Sequence, residues 1–277
     1  MMTNFVPCAC LALLPFLTLV CHADDTEVVK QAKKKLAGHF TIVSGESVVA
    51  FDELQGKKNW EAEAKLLKHL PKVVAFQSYS TGTTDAAFQD IGGLSEMREL
   101  RLANIPITDP ALKDIGRLTK LKLLVLGNVP VTDAGLAELG NLAELERLEL
   151  NNSRVTGTGF EKLKGLKKLS KVFLDGPSAT DAGLRHIAAL PAIYQVSLTG
   201  SKVTDRGLKE FAGAKKLGSL DLSGTQVTDA GVRLFQNVDD FRRLGLVYVR
   251  GTKVTQGTID EIRKARGTKH YLEIFMK

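Results

Sequence analysis

Charge is missing from the start of the chain: no Asp, Glu, Lys or Arg occurs before Asp24. Cysteine is missing from everything after that stretch, since the 3 cysteines are Cys8, Cys10 and Cys21. Beyond Cys21 there is thus no disulfide, no cysteine nucleophile and no thiolate metal site. Tryptophan occurs 1 time, at Trp60, and the 5 histidines (His22, His39, His69, His186, His270) include no pair at helical ligand spacing. A Gly-rich phosphate loop in strand–helix context and a G-x-S-x-G elbow are both absent. These gaps argue against an enzyme, and no metal or cofactor is expected. What remains is ordinary: 44% hydrophobic and 25% charged residues, which excludes collagen, coiled coil and wholesale disorder.

The uncharged stretch carries an apolar run from Val6 to Val20 and ends Cys21-His22-Ala23 before Asp24-Asp25. It reads as a secretory signal peptide over 1–23, too short and too broken by Pro7 and Pro15 for a spanning helix. An exported protein (periplasmic, cell-surface or secreted) is expected. Membrane contact would come only through an uncleaved signal or a lipid on Cys21. Without disulfides, stability rests on the core.

Repetition is the dominant signal. The hexapeptide Thr83 to Phe88 returns as Ile107 to Leu112, Val131 to Leu136, Val155 to Phe160, Ala179 to Leu184, Val203 to Leu208 and Val227 to Val232. Each step is 24 residues, and a degenerate copy, Val254 to Ile259, arrives three residues late. Before each copy runs L-x-x-L-x-L, as in Leu121, Leu124, Leu126 and Leu217, Leu220, Leu222. Its period-2 half predicts a short strand with one buried face. After each copy the apolar spacing becomes three (Leu184, Ile187, Leu190), one stripe of a short helix. The Thr-Asp pair sits at each helix start. Because Pro110 follows Asp109, Asp is expected as the N-cap, weakened where Gly157 and Gln256 replace it. The small residue two positions on (Ala87, Ala111, Gly135, Gly159, Gly183, Gly207, Gly231) is expected to let coils approach.

The pattern L-x-x-L-x-L followed by V-T-D-A-G-L resembles leucine-rich repeat proteins, especially exported bacterial members with near-identical units. The resemblance runs from Val73 to Lys277. It implies an α/β fold, a right-handed leucine-rich repeat solenoid (a horseshoe) with a parallel β-sheet on the concave face and short helices on the convex face. The physics agrees, because one unit cannot bury both stripes and stacking makes a continuous core.

The expected organisation is a signal over 1–23, an N-terminal cap over 24–72, repeats over 73–253, and a degenerate last repeat with a C-terminal cap over 254–277. In the N-terminal cap, a helix over 26–36 precedes a hairpin (39–43 and 47–51, with Ser44-Gly45-Glu46 as a three-residue loop) and a helix over 60–70. Trp60 is read as cap packing. His270 to Met276 reads as a closing strand.

Residues between the strand leucines form outward columns. The first runs Ala75, Glu99, Leu123, Arg147, Lys171, Gln195, Ser219, Arg243; the second runs Gln77, Arg101, Val125, Glu149, Phe173, Ser197, Asp221, Gly245. A third runs from Tyr79 through Asp175 to Val247. Leu123, Val125 and Phe173 form an apolar centre, ringed by Arg101, Arg147, Glu149 and Lys171, with Tyr79 near the start. That composition fits an interface core with a polar rim. The primary expectation is therefore a non-enzymatic scaffold, monomeric, that binds a protein partner through this face.

Two alternatives remain open. Residues 242–277 hold 9 basic and 3 acidic side chains against 20 of each over 73–241. Arg242, Arg243, Arg250, Lys253, Arg263, Lys264, Arg266 and Lys269 would suit an anionic envelope polymer. No aromatic interleaving or nucleic-acid motif accompanies them, so nucleic acid is not an expected partner. An enzyme would need a site assembled across strands, with Glu149, Asp175 and Asp221 as its carboxylates.

Overall fold

The computed structural model describes residues 30–31, 40–43, 46–51, 61–70, 72–79, 83–267 and 271–276. The signal segment, most of the 26–36 helix, Trp60, the Ser44-Gly45 turn and Lys269 lie outside them.

Among the described residues, eleven strands form one open sheet in chain order. They are β1 (Phe40–Val43), β2 (Glu46–Phe51), β3 (Val73–Ser78), β4 (Glu99–Ala103), β5 (Leu123–Gly127) and β6 (Arg147–Glu149), then β7 (Lys171–Phe173), β8 (Gln195–Ser197), β9 (Ser219–Asp221), β10 (Leu246–Tyr248) and β11 (Glu273–Phe275). β1 and β2 pair antiparallel with Val43 opposite Glu46, so Glu46 belongs to the strand and the hairpin loop is shorter than its sequence suggests. Every later pairing is parallel, beginning with β2 on β3. Such strands need a crossover, and each coil supplies one through a short helix.

The leucines explain the stacking. Leu124, Leu148 and Leu220 are fully buried behind their strands, and Leu136, Ile187, Phe211 and Phe235 are fully buried behind the helical turns. Each such side chain contributes about 1.5–3 kcal/mol, realised only when another coil covers it. Helix Glu61–Leu67 buries Ala64 and Leu67 in the same phase and closes the first full coil.

One column turns the chain after each strand. Asn104, Asn128 and Asn152 take φ of 58°, 53° and 55°, and Gly176, Gly200, Gly224 and Gly251 continue the column at positive φ. Asparagine tolerates this left-handed geometry through its short polar side chain, and glycine through its missing Cβ.

The Thr-Asp pair behaves differently from the expectation. Threonine is the N-cap: Thr132, Thr204 and Thr228 each accept the N–H two residues on, at 3.2 Å. The aspartate occupies the first turn, where its carboxylate reaches the next coil. Asp109 accepts from the Thr132 N–H (2.8 Å) and hydroxyl (2.6 Å). Asp205 does the same for Thr228 at 2.7 and 2.6 Å. Asp85, Asp133, Asp181 and Asp229 repeat the contact. Proline after Asp109 fits because a first-turn N–H has no helical acceptor. The small-residue column makes room for this link: a Cβ at Gly135 would stand 2.5 Å from Asp109 Oδ1.

Gly157 interrupts the series at φ 100°. There the Thr180 N–H donates to the Thr156 carbonyl at 3.2 Å instead. Asp133 compensates by also accepting from Gly157 and Gly159 N–H at 3.1 and 2.8 Å.

Candidate functional site

Strand register puts the central outward residues side by side. Leu123 lies opposite Arg147 and Val125 opposite Glu149; Arg147 then faces Lys171, and Glu149 faces Phe173. Arg101 pairs with Val125 one strand earlier. All of these side chains are half-buried, whereas Tyr79, just past β3, is 37% exposed. The structure thus brings together Arg101, Leu123, Val125, Arg147, Glu149, Lys171 and Phe173. Tyr79 stands apart at the N-terminal side.

Phe173 is less bare than the sequence implied. The Arg147 guanidinium lies 4.3 Å from its ring centroid, a cation–π contact. The same Arg147 donates from Nε to Glu149 Oε1 at 2.6 Å. Arg101 is likewise held, by Glu99 at 2.5 Å. Each arginine is tethered two residues along its own strand.

Down the same face the surface becomes acidic and hydroxylic. Asp175 Oδ1 accepts from Ser197 Oγ at 2.5 Å and from the Thr199 N–H at 2.9 Å. Burial raises its pKa above the usual carboxylate range against those two hydrogen bonds, with Asp221 and Glu149 adding like charge. Asp221 Oδ1 accepts from the Ser223 N–H at 2.9 Å. Each carboxylate of the enzyme alternative therefore already has a partner within the fold. Among the described residues, no group of three His, Cys, Asp or Glu is placed to hold a metal ion.

The C-terminal columns differ from the sequence reading. Ser219 pairs with Leu246 and Asp221 with Tyr248, a step of 27 residues, so Arg243, Gly245 and Val247 do not continue the outward columns. The extra residues are spent in the turn around Asn237, which accepts from the Asp239 and Asp240 N–H groups. Val247 is fully buried, and Leu246 (36% exposed) and Tyr248 face outward instead. Phe275 of β11 lies opposite Tyr248. This apolar group was missed because the 24-residue frame was carried one unit too far.

The basic C-terminal cluster also breaks up. Arg266 is buried and donates to the carbonyls of Phe235 (2.7 Å), Phe241 (3.1 Å) and Leu244 (3.3 Å). Burial lowers its pKa, though a guanidinium remains charged. Arg263 pairs with Asp260 at 3.5 Å and also donates to the Ile274 carbonyl.

Comparison with known proteins matches this architecture. The family profile described as Leucine Rich repeat covers residues 214–235. Internalin C2 from Listeria monocytogenes superposes with a TM-score of 0.55 at 18% identity, covering 91% of this chain and 93% of that chain. An internalin F structure from the same organism gives a TM-score of 0.48 at 14% identity over 91% and 90% of the two chains. A search of the curated proteins finds no match. The fold is a leucine-rich repeat solenoid, its parallel sheet open and its helices on the opposite side. No helix among the described residues is long and apolar enough to cross a membrane.

Proposed function

We propose that the chain is a non-enzymatic, exported, monomeric scaffold that recognises a protein partner through its concave sheet face. Residues 1–23 serve as its signal, 24–72 and 254–277 as caps, and 73–253 as the repeat body. The observation that carries the reading is the grouping of Leu123 and Val125 on β5 with Phe173 two strands away on β7, where Arg147 and Glu149 of β6 lie between them and Arg147 covers the Phe173 ring. Exposed apolar side chains interleaved with charges tethered within the fold favour a protein surface over a small ligand. Strand pairing fixes these side chains in advance, so little conformational entropy is lost on docking. Arg101, Lys171 and Tyr79 supply the rim.

The test is partner capture from the producing cell's envelope and medium, with Leu123→Ala/Phe173→Ala as the control. The double variant is expected to lose at least tenfold in affinity while keeping its circular dichroism spectrum and cooperative unfolding. Undiminished capture by the variant would place the contact elsewhere.

A further inference from the structure

A second group of outward apolar side chains lies at the C-terminal end of the same face, apart from Tyr194, which is 50% exposed just before β8 and packs against Gly218. Tyr248 and Phe275 stack with ring centroids 5.0 Å apart and planes at 16°. Leu246 is 36% exposed beside them, and Tyr271, before β11, is 68% exposed. Gln195, Ser197, Ser219 and Asp221 on β8 and β9 separate this group from Phe173. Three strand steps from β7 to β10 span about 14 Å. The group is a second apolar island, distinct from the central one.

Cations bracket it. Arg242 and Arg243 precede β10, Arg250 and Lys253 follow it, and all four are exposed. None forms an ion pair among the described residues, although the exposed Asp239 lies three residues before Arg242, and other acids nearby are engaged elsewhere. Asp260 holds Arg263 and Gln256; Glu261 holds Arg233; Glu273 accepts the Tyr271 hydroxyl; Asp221 accepts the Ser223 N–H. A second copy of this chain makes a poor partner, since residues 73–241 carry 20 basic and 20 acidic side chains and so no acidic surplus. Along β10, the chain from Arg243 to Arg250 reaches at most about 23 Å.

We propose that β10 and β11 form a docking site for an extended protein segment with acidic ends and an apolar or aromatic middle. The middle covers Leu246, Tyr248 and Phe275; the ends meet Arg242 and Arg243 on one side and Arg250 and Lys253 on the other. Apolar burial supplies the affinity, and the flanking charges set register and speed encounter. The inference rests on the sheet face being a binding surface, but on different residues from the central patch.

Fluorescence anisotropy tests it with a labelled peptide having Asp and Glu at both ends and Leu and Phe in the middle. The controls are the same peptide with Ser in the middle, and heparin. The apolar-centred peptide is expected to bind at least tenfold more tightly than the Ser control. Leu246→Ser/Tyr248→Ser should weaken it at least tenfold, and so should Arg242→Glu/Arg243→Glu, whose exposed positions leave folding intact. Leu123→Ala/Phe173→Ala should bind the peptide normally, which separates this site from the central patch. Three outcomes overturn the proposal: no peptide binding, equal binding of the Ser control, or heparin binding that ignores Leu246 and Tyr248. The last would make the region a charge-only surface for anionic polymers.

Discussion

At the scale of single residues, the Asp–Thr link has the clearest consequence. Asp109 carries no capping role of its own; it fixes the start of the next coil by accepting two hydrogen bonds from Thr132. Hydrogen bonds to a charged group are worth about 1.5–3 kcal/mol. Asp109→Ala is expected to cost about that much in urea unfolding, with an unchanged spectrum at zero denaturant. A loss below 0.5 kcal/mol, roughly the surface background, would remove the link from the stability account. Asp175 runs the other way. Burial raises its folded pKa, so the folded state takes up a proton more readily than the unfolded chain. Stability relative to the uncharged form is therefore lost as pH rises through that pKa. Asp175→Asn keeps an acceptor for Ser197 and Thr199, and should raise the melting temperature at pH 7 but not in acid. A lower melting temperature at pH 7 would show that the charge is favourable.

At the scale of elements, the last coil shows what could be read from the sequence and what could not. The strand–turn–helix unit was legible because its apolar positions recur in register, from Leu121, Leu124 and Leu126 onward. So was the strand register of the central outward residues, since those columns obey the same 24-residue step seen between Leu123 and Arg147. The frame failed at β10 because the template fits twice: Phe241, Leu244, Leu246 and Leu244, Val247, Val249 both satisfy it. The late hexapeptide at Val254 selects the second, because Val249 precedes Val254 as Leu222 precedes Val227. The division of labour between Thr as cap and Asp as acceptor for the next coil was not legible, since a partner one coil away leaves no local trace. Nor was the role of Arg266, whose partners Phe235, Phe241 and Leu244 are distant in sequence. Arg266→Met is expected to destabilise by about 3 kcal/mol, the cost of leaving buried carbonyls unpaired. Lys264→Ala, on the same helix but exposed, should shift stability by less than about 0.5 kcal/mol. Equal effects of the two substitutions in urea titrations would deny Arg266 its place as the pin of the C-terminal coil.

At the scale of the whole molecule, the solenoid is a stack in which every coil is joined to the next by nearly the same contacts. The exception at Gly157 is informative, because the junction survives without its carboxylate by bringing the Thr180 N–H onto the Thr156 carbonyl. The overall fold thus tolerates a changed link while holding strand register constant on both sides, as Lys171 opposite Arg147 and Gln195 opposite Lys171 show.

That constancy makes the sheet a ruler. β8 and β9 separate the two apolar islands, and each contributes one inter-strand spacing of about 4.8 Å. Because Asp181 grips Thr204 and Asp205 grips Thr228 in the same way, a unit can be excised or duplicated there with matching ends. The distance between the islands is therefore set by an integer, the number of intervening coils. A lineage or an engineer could retune the length of partner that bridges both islands without redesigning either one.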